Sequence, residues 1–294
     1  MQGVGKSTLA SLLVDPMTQV TNTRTYTFRP ETIEQVMSGC HSTIGLDVYV
    51  TKQRLVVLDC QPLLSPSIMD RIITQEKKYA QTDYSSTENL MEVESLQLLT
   101  LVLSIAQVVI CVSDGGGAEA NLLRLLHTAE MMKPPGSSSN NSTTQGGSSS
   151  VPVEDTHQYF PHIVFVHNRA PPHHFTPSYL NKMQSVYREA MGGSYLDHES
   201  RVGLCNGITS APLCQTSCGN LINLFLLPDF NRQHRSPVSF LEAICEMRRQ
   251  VLSMRRNPLT HLTLTEKSWY QYVQRTWESV RKWSLFSEYS RLLP

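Results

Sequence analysis

The sequence predicts an α/β domain built on a mainly parallel sheet with helices on both faces. Two observations carry that expectation. Short apolar runs recur at RLVVLD (54–59), VVICV (108–112), HIVFVHN (162–168) and NLFLLPD (223–229), with helical stretches between them. A further alternating run, IGLDVYV (44–50), precedes the first of these by only TKQ, which predicts one antiparallel hairpin.

Taken in order, KSTLASLLV should form a first helix from Lys6 to Val14. Ile44, Leu46, Val48 and Val50 alternate with smaller or polar residues, as in a half-buried strand. RLVVLD is continuously apolar up to Asp59 and reads as a strand covered on both faces. A helix is expected over Thr87–Ala106, leading into VVICV. The combined apolar segment LQLLTLVLSIAQVVICV (96–112) is too short for a membrane span, is interrupted by Thr100, Ser104 and Gln107, and has no basic flanks. Further helices are expected over Glu119–Met132, near Pro177–Met191 and near Val238–Met254. The low-complexity stretch PPGSSSNNSTTQGGSSSV (134–151) has no means of building a core and reads as a disordered insertion within one domain.

The tail differs in kind. Thr263 and Glu266 have capping-box spacing, and Trp269, Tyr272, Val273, Thr276, Val280 and Trp283 share one face of the helix that follows. That aromatic face either packs on its own domain or meets a partner.

Composition bounds the function. In 294 residues, 25 acidic and 25 basic side chains cancel, so no overall field recruits nucleic acid or a membrane surface. The seven cysteines are odd in number and scattered, as in a reduced cytosolic or nuclear protein. Cys205, Cys214 and Cys218 match no common zinc spacing.

The chemistry concentrates at the front. GVGKST has the turn glycines, lysine and hydroxyls of a phosphate-binding loop, and a helix follows directly. Backbone amides around Gly3, Val4 and Gly5 would wrap phosphates, Lys6 would neutralise them, and Ser7 and Thr8 would supply hydroxyls. Two more residues fit the same site: Thr43, just before the hairpin, and Asp59, at the tip of a buried strand where an uncompensated charge is costly. Ser7, Thr43 and Asp59 are thus the expected magnesium ligands. The consensus glycine five residues before Gly5 would precede Met1, so the first strand is expected to be missing by N-terminal truncation. That strand would lie between RLVVLD and VVICV.

The motifs of a nucleotide switch are incomplete downstream. A G protein reads D-x-x-G, whereas Asp59-Cys60-Gln61-Pro62 ends in a residue with no N–H and a fixed φ. Leu63 stands where a glutamine would orient the attacking water, and Gln61 lies two places early. HIVFVHNRAP resembles the lead into N-K-x-D, but Asn168 alone matches, with Arg169 for lysine and Pro171 for aspartate. Asn168 and Arg169 are weak base-binding candidates with no source of guanine selectivity. A purine nucleotide, ATP/ADP or GTP/GDP with magnesium, is the expected ligand. Turnover is expected to be slow or absent, against the alternative of an active small GTPase. A small-molecule kinase would need an arginine-rich lid, which 134–151 does not supply.

With these pieces assembled, the chain resembles the Smg-nine family, the G-domain-like subunits of the nonsense-mediated mRNA decay kinase complex. The resemblance rests on QGVGKS, RTYTFRP (24–30), TIGLDVYVTKQRLVVLDCQPLLSPSIMD (43–70), TAEMMKP (128–134), YFPHIVFVHN (159–168), NLFLLPDF (223–230) and TEKSWYQYVQRTWESVRKWSLFSEYSRLLP (265–294). The DCQP stretch and the degraded base motif follow the family pattern; the family's N-terminal disordered region and first strand have no counterpart here. The resemblance implies a degenerate P-loop, G-like domain over 1–258 and a helical extension over 259–294. It also implies a non-catalytic scaffold that pairs with a Smg-eight-type G-like subunit. The pair would bind and restrain the Smg-one kinase, with an indirect link to the Upf-one helicase and mRNA. A cytoplasmic or nuclear location and no membrane are expected from the cysteines and the 96–112 segment.

Overall fold

A computed structural model describes residues 2–15, 26–76, 86–115, 117–134, 159–200, 202–203, 221–230, 237–260 and 264–293. The expected 134–151 insertion (beyond Pro134) and the cysteines at 205, 214 and 218 lie outside those residues.

The element order is α1 (Lys6–Val14), α2 (Ile33–Met37), β1 (Leu46–Val50), β2 (Val56–Cys60), α3 (Pro66–Glu76), α4 (Thr87–Ile105) and β3 (Val108–Asp114). It continues through α5 (Ala120–Met131), β4 (His162–Ala170), α6 (Pro177–Ala190), β5 (Leu224–Pro228), α7 (Phe240–Ser253), α8 (Glu266–Lys282) and α9 (Ser284–Leu292). β3, β4 and β5 pair in parallel in that order, with Val109 opposite Ile163 and Phe165 opposite Leu224. The alternation along β4 sorts the core into two layers. Ile163 and Phe165 join Leu96, Leu103 and Leu126 on one face, while Val164 and Val166 join Leu9, Leu12, Ile244 and Met247 on the other. Helices therefore cover both faces of the parallel sheet, as the sequence predicts.

The antiparallel hairpin forms as expected, but its burial does not match expectation. β1 and β2 pair antiparallel, with Val48 opposite Leu58, but as a separate two-stranded sheet. β1 is not half-buried: Leu46 packs beside the end of α4, but Asp47 through Val50 are all exposed. β2 is not covered on both faces either. Val57 and Asp59 are buried, while Val56, Leu58 and Cys60 are only partly so.

The tail corrects the cap and sharpens the packing. Thr265, not Thr263, caps α8, accepting from the Ser268 N–H while Ser268 Oγ accepts from the Thr265 N–H at 2.7 Å. The helix ends at Lys282, and Trp283 forms the joint to α9 instead of continuing the face. Val280 and Phe286 are buried in the main core beside α4. The face docks through a specific need. A helix leaves its last carbonyls without intrahelical donors. At the end of α4, Leu103 O receives Lys133 Nζ, Ser104 O receives Tyr272 OH (3.1 Å), Ile105 O receives Trp269 Nε1 (3.4 Å), and Ala106 O receives Tyr159 OH (2.9 Å). Among the described residues no helix is long and apolar enough to cross a membrane.

Phe286 is 2% exposed, so Phe286→Ala should cost about 3–5 kcal/mol of unfolding free energy by denaturant titration. His167, fully buried on β4 and hydrogen-bonded to Tyr187 OH at 2.7 Å, is pushed down to about 4 by burial. The unfolded chain then binds the extra proton, so this group's stability is intact above pH 6.5 and falls by about 3 kcal/mol as pH drops to 4. In His167→Gln the acid-side loss should shrink by about that amount.

Candidate functional site

Three elements bring the predicted residues together. Gly3 and Gly5 take left-handed backbone (φ 71° and 89°), which turns residues 2–5 sharply into α1. The first turn of α1 then places Lys6 and Ser7 over the carboxyl end of β2. Asp59, 2% exposed at that end, accepts the Thr43 hydroxyl on Oδ2 at 2.8 Å, and Thr43 Oγ1 lies 3.3 Å from Ser7 Oγ. Ser7 also hydrogen-bonds Asp59. The expected trio Ser7, Thr43 and Asp59 is thus one contiguous oxygen cluster.

Its electrostatics follow from burial. Desolvation raises the Asp59 pKa, while the Ser7 and Thr43 hydrogen bonds and the Lys6 charge pull it down. Lys6 is lowered by desolvation and raised by Cys60, Asp59 and Glu31 around it. The Cys60 thiol, pushed up to about 12 by burial, stays protonated. One carboxylate and two hydroxyls form a hard-oxygen set that suits magnesium, which takes few protein ligands and completes its shell with water and phosphate oxygens. Among the described residues no group of three or more His, Cys, Asp or Glu side chains could hold a metal.

Asn168 and Arg169 also reach this loop, through its carbonyls. Asn168 Nδ2 donates to Val4 O at 2.9 Å, and Arg169 donates to Gly3 O at 3.1 Å. Arg169 sits at φ 55° and forks onto both oxygens of Asp114 at 2.7 Å each. Thr8 is half-buried in the first turn of α1, and Val4 is buried in the sheet core. Pro62 is buried and Leu63 packs into the apolar core. Gln61 is buried with its Oε1 held by the Gly45 N–H at 2.7 Å and by Arg71, so it faces no incoming water.

Sequence reasoning missed Asp114 and Gln2. Asp114 ends β3 but stands exposed, so the buried-charge argument that singles out Asp59 does not reach it. Gln2 bridges Cys40 O and Ser65 Oγ at 2.8 Å each, tying the loop to the segments before β1 and after β2. Nothing in the local sequence signals that long-range pairing.

No family model matches the chain. It is 34% identical over 313 residues to a protein of Salmo salar named nonsense-mediated mRNA decay factor SMG9, an alignment covering 99% of this chain. Proteins of the same name from Xenopus tropicalis and Xenopus laevis are each 33% identical over 316 residues, covering all of it. Over these residues the chain belongs to the SMG9 family. It spans about 60% of the length of those curated relatives. The SMG9 protein of Caenorhabditis elegans is 33% identical over a shorter stretch of 113 residues.

A Cβ added at Gly5 would stand 2.7 Å from Asn168 Nδ2, in a left-handed conformation already unfavourable to alanine. Gly5→Ala should lower the melting temperature and weaken any anion bound to the loop. Asn168→Ala should weaken the anion less, since it removes one loop carbonyl's donor and leaves the turn intact.

Proposed function

We propose that this domain serves nonsense-mediated mRNA decay as a non-catalytic scaffold that grips a purine nucleotide by its phosphates. The observation that carries the reading is the convergence of Lys6, Ser7, Thr43 and Asp59 at the start of α1. Backbone amides of residues 3–7 and the positive end of α1 favour phosphate oxygens. Magnesium, held by Ser7, Thr43 and Asp59, would supply charge neutralisation between phosphates.

The same geometry argues against turnover. Leu63 is in the core, Gln61 is held by Gly45 and Arg71, and Pro62 has no N–H to offer a terminal phosphate. Family membership supports the biological setting, since the curated relatives are named as decay factors. On this reading the domain pairs with a Smg-eight-type G-like subunit, and the pair binds and restrains the Smg-one kinase, acting on the Upf-one helicase and mRNA only through that kinase. It works in the cytoplasm or nucleus.

Isothermal titration with ATP, GTP and their diphosphates, each with magnesium, tests the grip. Lys6→Ala should weaken binding at least about tenfold, the scale of one charge-assisted contact. Co-purification with the Smg-eight-type partner should persist in that variant. Single-turnover hydrolysis at ordinary G-protein rates, abolished by Lys6→Ala, would overturn the scaffold reading in favour of an active switch.

A further inference from the structure

The segment before β1 is laced to the segment that ends β2 and enters α3. Thr43 Oγ1 donates to Asp59 Oδ2 at 2.8 Å. Gly45 and Gln61 form a reciprocal pair: the Gln61 N–H donates to Gly45 O at 2.8 Å, and the Gly45 N–H donates to Gln61 Oε1 at 2.7 Å. His41 Nδ1 lies 2.8 Å from Ser67 Oγ. The lacing thus recurs at every second position: 41, 43 and 45. Gln2, on the phosphate loop, joins both segments. Its Nε2 donates to Cys40 O at 2.8 Å, with Gly39 O at 3.4 Å, and its Oε1 accepts from Ser65 Oγ at 2.8 Å.

Hydrogen bookkeeping shows that these contacts close into one ring. Two carbonyls on one side of the Gln2 amide accept only from its NH2, which fixes the amide's orientation. Ser65 gives its one hydroxyl hydrogen to Gln2 Oε1. The Ser65–Ser67 contact at 2.9 Å therefore takes its hydrogen from Ser67. Ser67 in turn accepts from His41, which puts the imidazole hydrogen on Nδ1. Cys40, beside His41 in the chain, closes the ring back to Gln2. His41 needs only that one hydrogen: burial, Arg71 and Lys6 hold its pKa below the ordinary value, and its Nε2 is buried without a partner. Ser65 and Ser67 are buried too, so water competes little for the ring.

Every one of these ties joins protein to protein, so none depends on a phosphate. In a nucleotide switch, by contrast, the terminal phosphate orders the flanking segments and its loss releases them. We propose that Gln2 is a lock that holds residues 39–45 and 61–67 on the phosphate loop whichever nucleotide is bound, making the site a constant grip. The ligand in this inference rests on the nucleotide reading above, whereas the lock rests on the ring alone. Gln2 is a positioning residue, because one side chain on the loop holds both segments. With Thr43 already in place, a triphosphate bears no cost of ordering the segment that carries it.

Hydrogen exchange on the full chain tests the lock, first with no nucleotide. Gln2→Ala should speed exchange in 39–45 and 61–67 by at least about fivefold, the scale of one or two hydrogen bonds. Gln2→Glu keeps the acceptor for Ser65 and loses the donor to Cys40, so it should loosen 39–41 and spare 65–67. The second comparison adds magnesium with GDP and GMPPNP, or with ADP and AMPPNP, whichever pair titration shows to bind. Exchange in both segments should then match between diphosphate and triphosphate within about twofold, and Gln2→Ala should weaken the triphosphate at least about fivefold more than the diphosphate. Unchanged exchange in nucleotide-free Gln2→Ala would overturn the lock. So would a triphosphate that protects either segment of the unaltered chain about tenfold more than the diphosphate does, which would leave the phosphate grip standing. Failure of every nucleotide to bind would instead overturn the grip, while the nucleotide-free comparison still decides the lock.

Discussion

A carboxylate buried at the end of a strand must be answered by charge or by hydrogen bonds, and Asp59 organises the candidate site for that reason. With almost no exposure to water, it draws the Thr43 hydroxyl, the Ser7 hydroxyl and the Lys6 ammonium around it. Those partners come from two places in the chain, the start of α1 and the segment before β1. Satisfying one charge therefore fixes how α1, the segment before β1 and the end of β2 sit together. The turn at Gly3–Gly5, with its carbonyls taken up by Asn168 and Arg169, then links the hairpin side to the parallel sheet.

The other end of the molecule is governed by a different need. Four carbonyls at the end of α4 have no helical donors, and Lys133, Tyr272, Trp269 and Tyr159 supply them. Two of those donors lie on α8, which is why an aromatic helix with few buried positions still holds a defined place. Glu92 on α4 and Tyr289 on α9 add one more contact at 2.6 Å. The tail is thus part of the fold's own packing, with Tyr270 exposed on its outer face.

Much of this was legible beforehand where periodicity was strong. α1, α4, β3, β4, α6 and α7 follow apolar patterns long enough to be read without a neighbour in view. The cluster of Ser7, Thr43 and Asp59 was also legible, because each residue is chemically out of place as packing material. Three short helices were not. α2 has five residues and no buried side chain, so it carries no apolar stripe to read. α3 opens at Pro66 directly after the DCQP departure, and α9 follows α8 with only Trp283 between them. Asp114 escaped notice because, exposed at the end of β3, it carries no burial cost for the sequence to signal.

By itself, the sequence determined most of the helices and strands and singled out the residues that gather at the loop before α1. Both depend on local matters: side-chain period, turn glycines and the cost of burying a charge. Only the tertiary structure decided that β1 stays largely exposed. It also decided that Asn168 and Arg169 turn toward the loop carbonyls and that the aromatic tail closes the end of α4. Those outcomes rest on which unsatisfied backbone groups lie within reach once the chain is folded, and sequence spacing does not encode that distance.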